Sequence, residues 1–132
     1  MSREVMPVLQ SLFAIALGAT LGAWARWGLS IWLNPADGPF PYGTLAANLI
    51  GGYVIGMAMA WFSTHPQVSP EWRLFVITGL LGGLTTFSSF SAETMQLILR
   101  QQYGWAATVI GSHVFGSLLM TALGIASVRL LR

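Results

Sequence analysis

Four stretches of this chain are each long enough and apolar enough to cross a lipid bilayer, and no other feature limits the fold as strongly. They run over about residues 8–33, 43–62, 72–99 and 105–128. Only 8% of the 132 residues are charged, whereas a soluble domain carries about a quarter. A soluble bundle of four helices needs a polar face on every helix, which so few charges cannot supply. The sequence therefore predicts an all-α membrane protein, with four transmembrane helices in a single domain covering residues 1–132.

Composition also excludes several classes of function. The chain has no cysteine, so disulfides and thiol chemistry are excluded. A net charge of +2 with scattered arginines does not form a nucleic-acid surface. No nucleophile, base and orienting carboxylate occur together, so nothing indicates an enzyme.

The distribution of arginines gives only a weak preference for one orientation in the membrane. With four spans, one side collects Arg3, Arg73, Arg129 and Arg132, and the other holds Arg26 and Arg100. Because cytoplasmic loops normally carry a clear excess of basic residues, this chain is a candidate for insertion in both directions. Two oppositely inserted copies would form an antiparallel pair, in effect an inverted repeat.

Glycines recur four residues apart in three of the spans. The pairs are Gly18 and Gly22, Gly52 and Gly56, and Gly79 and Gly83. Small residues at this spacing share one helix face and let two backbones approach closely. We expect these glycines to be packing positions.

Several polar side chains lie within the spans, where an unpaired polar group is costly. Asn48 is the one strongly polar residue deep in the second span, and its ordinary role would be a hydrogen bond between helices. His113, Ser117 and Thr121 follow one another at intervals of four and therefore share one face of the fourth helix. His113 has no second histidine or carboxylate at metal-binding spacing, which argues against a metal site there. These residues outline a possible polar path through the protein.

The segment "GGLTTFSSF", Gly82 to Phe90, combines two features. Its glycines and threonines weaken a helix, so we expect the third helix to break within the membrane and to free backbone carbonyls that suit a cation such as Na⁺. Phe87 and Phe90 share one face and alternate with serines, so ring edges with partial positive charge adjoin hydroxyl donors. Such a surface lacks a counter-charge for a large cation, apart from Glu93, and lacks an arginine clamp for a large anion. It favours a small, hard anion.

Four motifs in this chain resemble those of the small bacterial fluoride channels of the Fluc (CrcB) family. They are "GATLGAWARW", "YGTLAANLIGG", "GGLTTFSSFSAE" and "HVFGSLLMTALG", which occur in family order over about residues 11–128. The resemblance implies an antiparallel homodimer that exports cytoplasmic fluoride passively through two pores and holds one structural Na⁺ at its centre. It also implies the bacterial plasma (inner) membrane, with fluoride, a second copy and lipid as partners, no nucleic acid and no organic cofactor.

The resemblance further assigns roles to individual residues. The aromatic edges that face fluoride would be those of Phe87 and Phe90, with the amide of Asn48 opposite them. The remaining pore residues would be Ser88, Ser89, Ser117 and Thr121. Carbonyl oxygens of Gly82 and Thr85 would bind the Na⁺, and Arg26 would lie toward an aqueous vestibule. Glu93 matches a common acidic position without a clear role, and His113 receives no role either.

Two other readings of the sequence remain open. A proton-coupled small four-helix multidrug or cation exporter is the main alternative, but it requires a carboxylate near the middle of a span, which the first helix lacks. A membrane subunit that transports nothing is the other, and it leaves Asn48, Phe87 and Ser117 unexplained.

Overall fold

The computed structural model describes residues 5–131 as a set of helices joined by three short connections. Arg3 and Arg132, which entered the count of basic residues above, lie outside the described residues. Helix α1 spans Val5–Leu33, α2 spans Tyr42–Ser63 and α6 spans Tyr103–Leu130. Between α2 and α6, the span Pro70–Leu99 consists of four pieces. They are α3 (Pro70–Arg73), a π-helix (Leu74–Leu81), α4 (Gly82–Leu84) and α5 (Phe87–Leu99).

The prediction of four membrane-spanning helices is confirmed in kind, because four helical segments have the length and hydropathy needed to cross a bilayer. Their ends lie close to the expected ones. The first begins at Val5 rather than Val8, and the last ends at Leu130 rather than Val128.

The connection after α1 is held to α2 by Asn34, whose Oδ1 accepts a hydrogen bond of 2.6 Å from the backbone N–H of Gly43 in the first turn of α2.

Glycines form the contact between α1 and the first half of the third span. A Cβ atom at Gly79 would lie 2.8 Å from the carbonyl oxygen of Ile15 and 3.0 Å from Cα of Gly18. Gly22 and Gly83 likewise face backbone atoms of the opposite helix. The two backbones are so close that only hydrogen fits between them, which confirms the packing role of these four positions.

A second glycine contact joins α2 to α6, the most extensively paired helices of the fold. Gly52 faces the Ser117 carbonyl, at 3.1 Å from a Cβ built on it, and a Cβ at Gly56 would collide with the Thr121 carbonyl. Gly124 of α6 approaches the Tyr53 carbonyl of α2 in the same way. These contacts hold the polar face of α6 against the polar residues of α2.

The second half of the third span packs separately from the first. Helix α5 lies against α6, where Leu97, Ala106 and Val109 form a buried cluster with Phe40. Two residues after the end of α5, Gln101 has a left-handed conformation (φ 60°). The backbone N–H groups of Gln101 and Gln102 donate to the carbonyls of Ile98 and Leu97, respectively. This is a Schellman ending, which glycine usually provides. It turns the chain directly into α6.

Candidate functional site

The third span breaks at Thr85 and Thr86, the two residues that separate α4 from α5. Both have extended backbone conformations, with φ −83° and ψ 154° at Thr85 and φ −149° and ψ 119° at Thr86. An extended residue cannot continue the i to i−4 hydrogen-bond pattern of a helix. The expected interruption in "GGLTTFSSF" therefore occurs at its two threonines, on the carboxyl side of the glycines.

Asn48 replaces the hydrogen bonds that Thr86 loses at this break. The backbone N–H of Thr86 donates to Asn48 Oδ1 at 2.8 Å, and Asn48 Nδ2 donates to the Thr86 carbonyl at 3.1 Å. One side-chain amide on α2 thus satisfies both backbone groups of one extended residue on the third span. The second hydrogen of Nδ2 lies toward His113 Nδ1 of α6, 2.9 Å away. Asn48 therefore connects all three elements.

The carbonyl groups of α4 and of Thr85, which follows it, differ in their hydrogen bonding. The Gly83 carbonyl accepts a hydrogen bond of 3.1 Å from Arg26 Nε, so a guanidinium satisfies the carboxyl end of a short helix. Within residues 5–131, no hydrogen bond reaches the carbonyl oxygens of Gly82 or Thr85. These two oxygens have no hydrogen-bond donor in the described part of the chain.

The opposite side of the break exposes the amino end of α5. The Thr86 hydroxyl accepts from the Ser89 backbone N–H at 3.1 Å, which is a standard N-cap. The backbone N–H groups of Phe87 and Ser88 have no acceptor in the described part of the chain. Free N–H groups at a helix start carry partial positive charge and attract anions.

An open groove of about 570 Å³ runs beside this break. Helix α2, the third span and α6 all contribute to its wall. Besides the packing residue Gly52 and the helix-breaking Thr86, seven residues predicted for the pore, the cation site or the polar path line it: Asn48, Gly82, Thr85, Phe87, Phe90, His113 and Ser117. The lining carries no charged side chain. The structure therefore gathers polar and aromatic residues that are up to 69 positions apart in the sequence into one neutral surface.

The two phenylalanines meet edge to face. Their ring centroids are 5.6 Å apart and the planes are inclined by 65°. Phe90 is half-buried between Phe87 and His113, whereas the side chain of Phe87 is 79% exposed in the single chain. In an edge-to-face pair the positive edge of one ring meets the negative face of the other, and the ring edges outside this contact are available to an anion.

The remaining residues predicted for the site lie outside the groove lining. Ser88 faces the Thr86 hydroxyl at 3.3 Å, and Ser89 uses its backbone N–H to bond Thr86. The Thr121 hydroxyl donates to its own helix at the Ser117 carbonyl, 3.0 Å away. Arg26 is engaged with α4, as described above. Each of these four residues therefore bonds to an element that forms the wall of the groove, the third span or α6.

Glu93 also lies on α5, three residues after Phe90 and near the connection that precedes α2. Its Oε1 accepts a hydrogen bond of 2.7 Å from the hydroxyl of Thr44, a residue that is only 2% exposed. Its Oε2 is buried without a partner in the described residues. Glu93 also borders a smaller cavity of about 170 Å³ with Asn34, Phe40 and Arg100. The structure thus separates this carboxyl from the groove.

Sequence reasoning missed two residues of this region. Thr86 was expected only to break the helix, although a threonine directly before the first residue of a helix is a favoured N-cap. Thr44 is the first polar residue of the second span, and no local pattern indicates its partner Glu93. The groups of His, Cys, Asp and Glu needed for a metal centre are absent among residues 5–131.

Comparison with known proteins identifies a family for nearly the whole chain. Residues 13–125 match the family described as CrcB-like protein, Camphor Resistance (CrcB). A protein of Pseudomonas putida named fluoride-specific ion channel FluC is 59% identical over 120 residues, which are 91% of this chain and 94% of that protein. Proteins of the same name from Cupriavidus pinatubonensis and Thiobacillus denitrificans are similar as well. The first is 56% identical over 118 residues, covering 89% of this chain and 94% of the relative. The second is 52% identical over 124 residues, covering 94% and 100% respectively.

Proposed function

This chain belongs to the CrcB family, and we propose that it is a fluoride-selective channel through which cytoplasmic fluoride leaves the cell passively. The observation that carries this proposal is identity of 52–59% to three proteins named fluoride-specific ion channels, over at least 89% of this chain. Its four spans make it a multi-pass membrane protein of the bacterial membrane. Its function is conduction, and it is not an enzyme.

The groove has the chemistry that conduction of a small anion requires. A permeating ion must exchange its hydration water for ligands that are weak enough to release it. Ring edges of Phe87 and Phe90, the hydroxyl of Ser117 and the free N–H groups at the start of α5 are such ligands. The lining contains no arginine or lysine that would trap the ion. Ser88, Ser89 and Thr121 would extend the polar track beside this set.

The second proposal concerns assembly as an antiparallel homodimer with two pores. In a single chain the groove opens on the outer surface, and Phe87 is 79% exposed next to polar backbone. Unsatisfied backbone groups do not face lipid, so protein must cover this surface. A second copy would close the groove. The break itself lies near the middle of Pro70–Leu99 and would therefore be at mid-membrane depth. The weak arginine bias is consistent with insertion of the two copies in opposite directions.

The carbonyls of Gly82 and Thr85 fit half of a sodium site. Both are oxygen atoms without a hydrogen-bond donor in the described residues, and Gly82 has no side chain that could cover its carbonyl. Hard cations bind oxygen ligands, and freed carbonyls at helix breaks bind Na⁺ in membrane proteins. Two carbonyls are too few for one ion, so the same pair from a second copy would complete the site. Such an ion would hold the two breaks together.

Fluoride efflux from liposomes tests the channel. Purified protein is reconstituted, the liposomes are loaded with potassium fluoride, and valinomycin is added so that charge balance does not limit the flux. We expect rapid fluoride release, and chloride release no faster than from protein-free liposomes. Equal chloride flux, or no fluoride flux, would contradict the proposal. Flux that requires an imposed proton gradient would instead support a proton-coupled exporter.

A further inference from the structure

The orientation of the Asn48 amide is fixed by a backbone group. The N–H of Thr86 can only donate, so the Asn48 atom 2.8 Å from it must be the oxygen Oδ1. The nitrogen Nδ2 is therefore the atom that faces both the Thr86 carbonyl and Nδ1 of His113. Because Nδ2 has two hydrogens and no lone pair to offer, it is the donor in both contacts.

The amide in turn fixes the proton on His113. Nδ1 of this ring accepts from Asn48 Nδ2 at 2.9 Å, so in a neutral imidazole the proton must be on Nε2. The side chain of His113 is 5% exposed, and Nε2 has no hydrogen-bond partner among the described residues. A buried N–H without an acceptor is rare and costly in proteins, so this one requires a ligand from outside the described residues, a water or an ion.

The position of the ring indicates what that ligand is. His113 lines the groove together with Phe90, whose ring centroid is 4.5 Å from that of the imidazole, and with Ser117, one helical turn further along α6. The ring is neutral in this tautomer, like the other donors of the groove. A metal ion is not a suitable occupant, because it would need a lone pair on Nε2 where the tautomer has a hydrogen.

We propose that the Nε2–H of His113, held in this tautomer by Asn48, donates a hydrogen bond to the permeating anion beside Phe90. The inference rests on the proposed function, since it adds a ligand to the same groove. It gives Asn48 a different part from the one expected from the resemblance: both of its donor hydrogens are used within the chain, and Asn48 positions the donor on His113.

Two amide variants separate the two ends of the imidazole. An asparagine side chain is short and reproduces the Nδ1 end of histidine, whereas a glutamine side chain is longer and reproduces the Nε2 end. His113→Asn therefore keeps an acceptor for Asn48 and removes the proposed anion donor. His113→Gln keeps a donor near Nε2. We expect roughly a tenfold or greater loss of fluoride efflux in His113→Asn and a clearly smaller loss in His113→Gln, as for a hydrogen bond to a charged ligand.

Nitrogen NMR provides a readout that does not depend on flux. The chain has two histidines, and His65 lies in the connection after α2, where it is stacked on Trp61. In protein carrying His65→Asn and ¹⁵N-labelled histidine, every imidazole signal belongs to His113. We expect the spectrum of a neutral ring protonated at Nε2, and a shift of the Nε2 resonance when sodium fluoride is added but not when sodium chloride is added.

The outcomes distinguish the inference from the channel proposal. If the unmodified protein releases no fluoride, the proposed function is wrong. If it releases fluoride while His113→Asn releases it equally fast, or while fluoride leaves the Nε2 resonance unchanged, the channel stands and His113 is only a structural partner of Asn48. A ring protonated at Nδ1 instead of Nε2 would also overturn the inference.

Discussion

The side-chain amide of Asn48 pairs with both backbone groups of Thr86, at 2.8 Å and 3.1 Å, much as a neighbouring strand would. Because its backbone is extended, Thr86 makes no helical hydrogen bonds. Asn48 of α2 bonds to both its N–H and its carbonyl instead. An interrupted helix can exist inside a membrane only where protein satisfies the freed groups. Asn48 is thus the support on which the shape of the groove depends.

Removing this support should destabilise the fold. We expect Asn48→Ala to lower the free energy of unfolding by about 1–3 kcal/mol, because the Thr86 N–H and carbonyl are left buried without partners. The measurement is thermal unfolding of the detergent-solubilised protein. Thr20→Ala is the control, since the Thr20 hydroxyl bonds only to the Ala16 carbonyl of its own helix at an exposed position. Equal midpoints for the two variants would contradict the role assigned to Asn48.

Replacing either phenylalanine of the edge-to-face pair by isoleucine should reduce fluoride flux. Phe87→Ile and Phe90→Ile keep apolar bulk and remove the ring edge with its partial positive charge. We expect each to reduce fluoride efflux from liposomes by roughly tenfold or more, corresponding to the loss of about 1.4 kcal/mol of interaction.

A matched control for these variants exists on α6. Phe115 is 74% exposed and is not part of the groove lining, so Phe115→Ile should conduct like the unmodified protein. Gel filtration checks that all three variants assemble alike. If Phe87→Ile and Phe90→Ile also retain full flux, ring edges are not fluoride ligands in this protein.

Arg26 should contribute to stability through the Gly83 carbonyl. Arg26→Ala removes the donor at 3.1 Å from this oxygen and the positive charge at the carboxyl end of α4. We expect a loss of about 1 kcal/mol in unfolding free energy, reduced from the value for a buried pair because the side chain is partly exposed. Arg100→Ala is the comparison, because Arg100 is exposed and its side chain makes no hydrogen bond in the described structure. A loss of equal size in both variants would show that general charge, and not the bond to Gly83, is responsible.

The helices and their glycine contacts followed from the sequence because they depend on local properties. A run of about 20 apolar residues crosses a bilayer as a helix, and glycines four residues apart lie on the same face of that helix. The π-helix Leu74–Leu81, which packs against α1, was not predicted, since "LFVITGLL" is an ordinary apolar run without a local signal for a wider turn. The left-handed Gln101 was also not predicted, because glycine is the residue that usually marks such an ending.

The candidate site was predictable as a list of residues and not as an arrangement. Polar side chains in an apolar span identified Asn48, His113 and Ser117, and the threonines indicated a break. Which group each side chain bonds is decided by the packing of helices distant in sequence. Asn48 meets Thr86 and Arg26 meets Gly83 across 38 and 57 residues, and no local pattern encodes those pairs.

The proposed sodium site predicts a dependence on the cation present. We expect exchange of Na⁺ for N-methylglucamine, which is too large to fit between carbonyls, to weaken dimerisation or to slow fluoride efflux. Size-exclusion chromatography and liposome flux measured in both cations provide the comparison. Identical assembly and flux in the two cations would rule out a structural Na⁺ at these oxygens.

The last prediction tests the close contact between α2 and α6 that holds the groove together. A Cβ at Gly56 would collide with the backbone carbonyl of Thr121, and backbone cannot move aside as a flexible side chain can. We expect Gly56→Ala to cost about 1–3 kcal/mol of stability by overpacking. Gly28→Ala is the matched control, because no atom lies within 4 Å of a Cβ built there, and alanine should stabilise α1 by up to about 1 kcal/mol through its helix propensity. Thermal midpoints that fall for Gly56→Ala and hold or rise for Gly28→Ala would support the contact. A Gly56→Ala protein as stable as the original would contradict it, and the helices would then be further apart than described.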